Sequence, residues 1–319
     1  MFTNLIEKLK KSYTVMVFTE GADPRILEAA SRLKKEGILE PLLLGSEEEV
    51  RAAAEKGGFD IAGIRITDPL RYRRIDELAA KMYELRGGKI SLEDCRKALR
   101  KGNYFGTMLV KIGVADCLLG GATYSTADTV RPALQLIRTR PGNKIVSSCF
   151  ILARGEERLA MGDCAINIKP NADELAEIAS ETAECARRFG IDPQVAFLSY
   201  STKGSGKGED VDKMRLAAEK AKAARPDLQI EGELQFDAAV SPEVAQTKCR
   251  GMPVAGHANT FIFPDINAGN IGYKIAQRLG GFQAYGPILL GLNAPVNDLS
   301  RGCNAEEVYH MAIITAGQR

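Results

Sequence analysis

The chain alternates short apolar runs with segments whose apolar residues recur every three to four positions. The runs that read as strands include residues 14–18, 41–44, 64–66, 115–119, 144–152, 194–198, 229–231, 260–263 and 284–289. Between them, residues 24–35 place Ile26, Leu27, Ala30 and Leu33 on one helical face, and residues 171–189 do the same with Leu175, Ile178, Ala179, Thr182 and Ala186. Strand–helix–strand alternation of this kind predicts an α/β fold with largely parallel sheets and right-handed crossovers. A turn cluster, Thr139-Arg-Pro-Gly-Asn143, precedes a β-rich stretch over 144–168, with consecutive strands joined at Arg154-Gly-Glu-Glu157. The domain break is placed near residue 142. No 20–50-residue repeat or low-complexity linker interrupts the pattern.

A length of 319 residues fits two domains. Lys and Arg number 43 against 41 Asp and Glu, which excludes a strongly basic nucleic-acid binder and an acidic tail. Trp is absent and aromatics are only 6%, so a stacking platform for single strands is excluded too. With two histidines, a three-His metal site is impossible. The seven cysteines contain no CxxC, so zinc-ribbon and thioredoxin readings fail, and no metal is expected. Scattered thiols of odd number suit a reducing compartment. No signal-peptide core or membrane-length apolar run is present. The expectation is a cytoplasmic protein with neither nucleic-acid nor membrane partners.

Four polar clusters carry candidate chemistry. Ser201-Thr-Lys-Gly-Ser-Gly-Lys-Gly208 lies between a strand and a helix. It fails as a P-loop, since Ser201 stands where Gly is required and Gly208 where Ser or Thr is required. A Gly/Ser loop at a helix start with Lys203 and Lys207 still offers donors to an anion, and the plain alternative is a flexible connection. In Gly120-Gly-Ala-Thr-Tyr-Ser-Thr-Ala-Asp-Thr-Val-Arg131, Ser125 or Thr126 would cap a helix carrying Asp128 in its first turn; Ser125, Thr126 and Arg131 facing a cleft would hold a phosphate or carboxylate. In Pro264-Asp-Ile-Asn-Ala-Gly-Asn-Ile-Gly272, Asp265 and Asn267 serve as caps or pocket residues, and Asn270 is unusual at a helix start. Pro295-Val-Asn-Asp-Leu-Ser-Arg-Gly-Cys303 precedes Asn304, an N-cap with Glu307 at the capping-box position. The sharper reading makes Glu307 a general base beside Ser300 and Arg301, with Arg301 neutralising charge in a phosphoryl or acyl transition state. His257 reads as structural, His310 as a partly exposed surface residue on the last helix, and Cys303 as a packing residue that also borders the candidate site.

Ser199-Tyr-Ser-Thr-Lys-Gly-Ser205, Gly232-Glu-Leu-Gln-Phe-Asp-Ala-Ala239, Phe263-Pro-Asp-Ile-Asn-Ala-Gly-Asn-Ile-Gly-Tyr-Lys274 and Pro295-Val-Asn-Asp-Leu-Ser-Arg-Gly302 resemble, in order, the signature runs of the phosphate acetyltransferases. The segment over 120–134 is similar to that family's STADT-RPA run, so the likeness spans the chain. It implies two α/β domains flanking a cleft, related to the isocitrate and isopropylmalate dehydrogenases, in a homodimer. Domain I would be residues 1–142 plus 299–319, with the last helix returning; domain II, residues 143–298, would carry the CoA side and the dimer contact. The implied reaction is acetyl-CoA + phosphate ⇌ acetyl phosphate + CoA, with CoA, phosphate and acetyl phosphate as substrates and no cofactor. Direct transfer in a ternary complex needs no enzyme nucleophile, which suits the lack of a Ser/His or Cys/His pair.

By the same resemblance, Arg301 holds phosphate and the carbonyl oxygen, and Ser300 bonds thiolate or phosphate. Arg131 and Arg86 bind phosphate or CoA anions. The loop Ser201, Thr202, Lys203, Gly204, Ser205 and the Asn270 region line the CoA and acyl cleft. Two departures stand out. The family's Asp base, seven residues past the motif Ser, is here Glu307, with Glu306 beside it and one methylene more reach. Leu290 stands where Gln is frequent. Rival readings are a phosphate butyryltransferase, whose extra methylenes a single sequence does not resolve; a non-catalytic acetyl-CoA-sensing module; and a nicotinamide-dependent dehydrogenase, disfavoured because no GxGxxG follows an early strand.

Overall fold

The computed structural model describes residues 2–319. The chain divides into two compact units: one holds residues up to Pro141 together with Leu292–Arg319, the other Gly142–Gly291. In chain order the first unit has α1 (Thr3–Lys10), β1 (Val15–Phe18), α2 (Pro24–Lys35), β2 (Glu40–Leu44), α3 (Glu47–Gly57), β3 (Arg65–Thr67), α4 (Ile75–Leu85), α5 (Leu92–Leu99), α6 (Gly102–Lys111), β4 (Cys117–Gly120) and α7 (Thr126–Pro132), which runs into a π-helical turn (Ala133–Ile137). The second unit follows with β5 (Ser147–Arg154), β6 (Glu157–Gly162), α8 (Ala172–Arg188), β7 (Gln194–Leu198), α9 (Glu209–Ala224), β8 (Gln229–Leu234), α10 (Phe236–Val240), α11 (Pro242–Lys248), β9 (Thr260–Ile262), α12 (Ile266–Arg278) and β10 (Gln283–Leu290). The chain then re-enters the first unit as β11 (Val296–Asp298) and α13 (Ala305–Gly317).

The first sheet runs β11-β4-β1-β2-β3 and every neighbouring pair is parallel. Val17 lies opposite both Leu42 and Leu118, and Val296 opposite Leu118. These strands are apolar on both faces because helices cover both, as a parallel sheet requires. Val17, Leu42, Leu118 and Val296 pack with Phe105 and Met108 in one buried cluster. β11 is short and polar, so hydropathy alone gives no strand there. Its Asn297 is fully buried and donates to Thr315 Oγ1 (2.8 Å) and Gln318 Oε1 (2.6 Å), which fastens β11 to α13. The return to the first unit therefore comes at Leu292, ahead of the 299 expected from sequence, because residues 296–298 are needed to extend the β4 edge.

The second sheet has the order β10-β5-β6-β9-β7-β8. β5 and β6 form the expected hairpin, and β10 joins β5 antiparallel; the pairings β6–β9, β9–β7 and β7–β8 are parallel. One face packs Phe197, Ile262, Leu175 and Met214 beneath α8 and α9. The other packs Phe261, Leu198, Leu234 and Val254. α8 starts at Asn171, whose side chain accepts from the Asp173 and Glu174 N–H groups while Glu174 reaches back, a full capping box. Phe261 is fully buried in the central strand β9. Phe261→Ala should destabilise the second unit by about 3–5 kcal/mol, read from the shift of its urea transition.

Candidate active site

Parallel pairing sets the carboxyl ends of β1, β4 and β11 side by side, and the turns that leave them carry the polar clusters. Ser300 and Arg301 are exposed on the turn between β11 and α13. That turn is closed by the Cys303 N–H to Ser300 O (3.0 Å), and Ser300 Oγ accepts from the Gly302 N–H (3.3 Å). Among the described residues, no side chain pairs with the Arg301 guanidinium.

Two residues earlier, Asp298 is 2% exposed and accepts from Thr126 Oγ1 (2.6 Å) and Thr129 Oγ1 (2.5 Å). Burial lifts its pKa to about 6, against the lowering effect of the two hydroxyls, with Glu20 adding a like charge. Thr126 therefore spends its hydroxyl inward. Ser125 occupies the N-cap position of α7 and donates to Asp128 Oδ2 (2.7 Å) rather than capping the helix. Arg131 remains exposed at the other end of α7. Gly121, at φ +102°, lies so close to Asp298 that a Cβ would strike the carboxylate. Glu20 organises the turn after β4, accepting from the Gly121 N–H (3.2 Å), the Thr123 N–H (2.9 Å) and Thr19 Oγ1 (2.7 Å). Burial raises its pKa as well.

Arg86 is the C-cap of α4, and its Nε is buried with no hydrogen-bond partner among the described residues. Tyr104 hydrogen-bonds Gln135 (3.0 Å); burial raises its pKa, while Arg131 and Arg86 both pull it down. The two guanidiniums thus lie within electrostatic reach of one phenol. An orphaned buried donor beside a second unpaired cation fits an anionic ligand.

The capping box at α13 is present. Glu307 Oε2 accepts the Asn304 N–H (3.0 Å) and Asn304 Oδ1 accepts the Glu307 N–H (2.9 Å), leaving one exposed carboxylate oxygen on Glu307. Glu306 is engaged by Arg32 (2.6 Å) and His310 (3.5 Å). His310 is partly exposed, as expected, and stacked on Phe2. Cys303 is buried, which raises its thiol pKa and suits packing rather than attack.

In the second unit, the loop after β7 already holds an anion of its own. Glu233, 1% exposed, accepts from Ser201 Oγ (3.0 Å) and the Gly204 N–H (2.7 Å). Ser201 Oγ in turn accepts the Gly206 N–H (2.9 Å), and Thr202 Oγ1 accepts the Gln235 N–H (2.9 Å). The P-loop-like composition therefore builds a nest for a chain carboxylate. Ser201 and Thr202 are buried; Lys203, Gly204 and Ser205 are on the outside, Lys203 at φ +52°. Asn270 sits on α12 and donates to Cys164 O (3.1 Å). Asp265 caps α12 through the Ala268 N–H (3.0 Å), whereas Asn267 is exposed. His257 is exposed beside a shallow cavity of about 360 Å³ lined also by Cys249 and Arg250.

Sequence reasoning passed over Glu20, Asp298 and Glu233. The available signal was an acid inside or just after an apolar run, which folding must bury and satisfy. Among the described residues, no three His, Cys, Asp or Glu side chains converge as a metal would need.

Because its folded-state pKa is raised, Asp298 holds a proton between about pH 4 and 6 where the unfolded chain, near 3.8, has released it. Its contribution to stability therefore falls as pH rises through that window and stays low above it. Asp298→Asn should flatten this dependence, with unfolding free energies of variant and parent diverging by about 2 kcal/mol between pH 4 and 7, checked by denaturant titration across that range.

The family profile described as "Phosphate acetyl/butaryl transferase" matches residues 1–316. A phosphate acetyltransferase of Bacillus subtilis (strain 168) is 52% identical over 318 residues, covering 100% of this chain and 98% of that protein. One from Staphylococcus epidermidis is 50% identical, covering 98% and 97%. A crystal structure of a phosphotransacetylase from Streptococcus pyogenes superposes with TM-score 0.97 at 56% identity, covering 99% of this chain and 97% of that one. The EutD phosphotransacetylase from Staphylococcus aureus gives 0.92 at 48%, covering 98% and 96%. With its signature turns in place at the strand ends and its likeness running the length of the chain, this protein belongs to the phosphate acetyl/butyryl transferase family.

Proposed function

We propose that the chain is a phosphate acetyltransferase, transferring an acetyl group reversibly between CoA and inorganic phosphate. The carrying observation is full-length identity near 50% to relatives of that name, combined with a motif turn that leaves Ser300 and Arg301 exposed and the guanidinium unpaired. In the direction of acetyl-CoA formation, the thiol of CoA gives up its proton and its sulfur attacks the acetyl carbonyl carbon. The C–O bond to phosphate then breaks, and phosphate leaves with the electron pair. Arg301 offsets the charge that develops on the carbonyl and phosphate oxygens, and Ser300 donates a hydrogen bond to it. Glu307 takes the thiol proton through its free oxygen. Engagement of Glu306 by Arg32 and His310 supports Glu307 over its neighbour. Arg86 and Arg131 bind CoA or phosphate anions, which the orphaned Arg86 Nε supports. In the loop over 201–205, Lys203, Gly204 and Ser205 lie on the outside, available to an anion, while Ser201 and Thr202 hold the loop's shape.

The protein works as a homodimer in the cytoplasm. α12 supports the first point: Ile271, Ile275 and Leu279, at 58%, 52% and 85% exposure, form an i, i+4, i+8 apolar stripe. The seven unpaired, buried cysteines support the second. Among the described residues, no helix is long and apolar enough to cross a membrane.

Three outcomes are expected. Arg301→Ala should lower kcat by 10²-fold or more with a smaller change in CoA affinity, as for an interaction made chiefly in the transition state; an unchanged kcat refutes the role. Glu307→Gln keeps the cap acceptor but loses the base, so turnover should fall and the acid limb of the pH–rate profile flatten, with Glu306→Gln nearly neutral. Ile275→Glu should shift the particle to monomer mass in light scattering. Phosphate-forming assays with acetyl, propionyl and butyryl phosphates test the acyl choice.

A further inference from the structure

Arg25 is the second residue of α2, and its planar side chain carries five N–H donors. All five are accounted for within the first unit. Nε and Nη2 grip the two oxygens of Asp23 (2.9 and 2.7 Å), and Asp23 is itself the N-cap of α2. The second Nη2 donor goes to Ala122 O (3.0 Å), in the turn after β4. Nη1 goes to Arg301 O (2.9 Å) and Cys303 O (3.1 Å), on either side of Gly302. One guanidinium thus joins three chain segments: the start of α2, the turn that Glu20 organises, and the turn carrying Ser300 and Arg301.

We propose that Arg25 is a positioning residue for acyl transfer, setting the Ser300–Arg301 turn against the turn after β4 through the backbone carbonyls of Ala122, Arg301 and Cys303. This rests on the reading of that turn as the seat of the reaction. Arg301, with no side-chain partner among the described residues, is available to an anion, whereas Arg25 has no donor left to give. The fork geometry matters as much as the charge. A lysine ammonium has three donors on a flexible stem and does not bridge a bidentate carboxylate to three carbonyls on two turns. A turn displaced by a fraction of an ångström loses rate more than affinity, since productive alignment is the more demanding condition.

The test compares the parent, Arg25→Lys, Arg25→Gln and Asp23→Asn, with Arg301→Ala as reference, in two measurements: steady-state transfer from acetyl phosphate to CoA, and amide hydrogen exchange. For Arg25→Lys, kcat should fall about 10- to 100-fold, with KM for both substrates within about threefold. Exchange should quicken at residues 299–304 and 121–123 while the interior of α2 stays protected. Asp23→Asn keeps Arg25 but loosens its grip, and should fall between parent and Arg25→Lys in both measurements. Unchanged exchange at those turns overturns the clamp whatever the rates do. Unchanged kcat, or a loss confined to KM, overturns the positioning role. A parent without transfer activity, together with loosened turns in Arg25→Lys, would instead sink the acyltransferase reading and confine Arg25 to holding the turns.

Discussion

Buried carboxylates at the ends of parallel strands are the constraint on which both units depend. A parallel sheet delivers its strands to one edge, where the chain turns sharply and backbone N–H groups lose their ladder partners. Water satisfies such groups on an open surface; beneath a binding surface it is a poor solution, because the ligand must displace it. Here Glu20 collects the Gly121 and Thr123 amides, Asp298 collects two α7 hydroxyls, and Glu233 collects the Gly204 amide and the Ser201 hydroxyl. Each ionised acid costs desolvation, seen in the raised pKa of Glu20 and Asp298, and each is tolerated because several donors converge on it.

That arrangement sorts the cations. Arginines close to a chain acid or carbonyl are used up as fasteners, Arg25 on Asp23 and Arg32 on Glu36 and Glu306. Among the described residues, Arg301, Arg131 and the Nε of Arg86 have no such partner. The distinction follows from donor saturation rather than exposure: Arg25 is itself partly exposed, yet its five N–H groups all point at protein atoms.

Much of this was legible in the sequence wherever the signal is local. The helix over 171–189 declares itself through its apolar spacing, and the last helix through Asn304 followed three residues later by Glu307, whose capping box forms. The strand Gln194–Leu198 is bounded by turn residues and appears where the pattern puts it. Legibility fails where the partner is distant. Thr126 looks like a ligand residue until Asp298, 172 positions away, takes its hydroxyl. The Ser201 loop looks like an anion site because it is one, and only the fold reveals that its anion is Glu233. β11 is invisible to hydropathy since two of its three residues are polar, satisfied by Thr315, Gln318, Thr126 and Thr129.

The late return of the chain to the first unit has a consequence for biosynthesis. On the ribosome, β1 to β4 emerge early, yet the edge of their sheet and the acid that anchors α7 lie beyond residue 291. All strands of the second unit have emerged before then. The half translated last in part is thus the half that must wait, holding an apolar strand edge open while its neighbour is already able to fold. Nascent molecules stalled before residue 296 should therefore be the ones that engage chaperones most strongly.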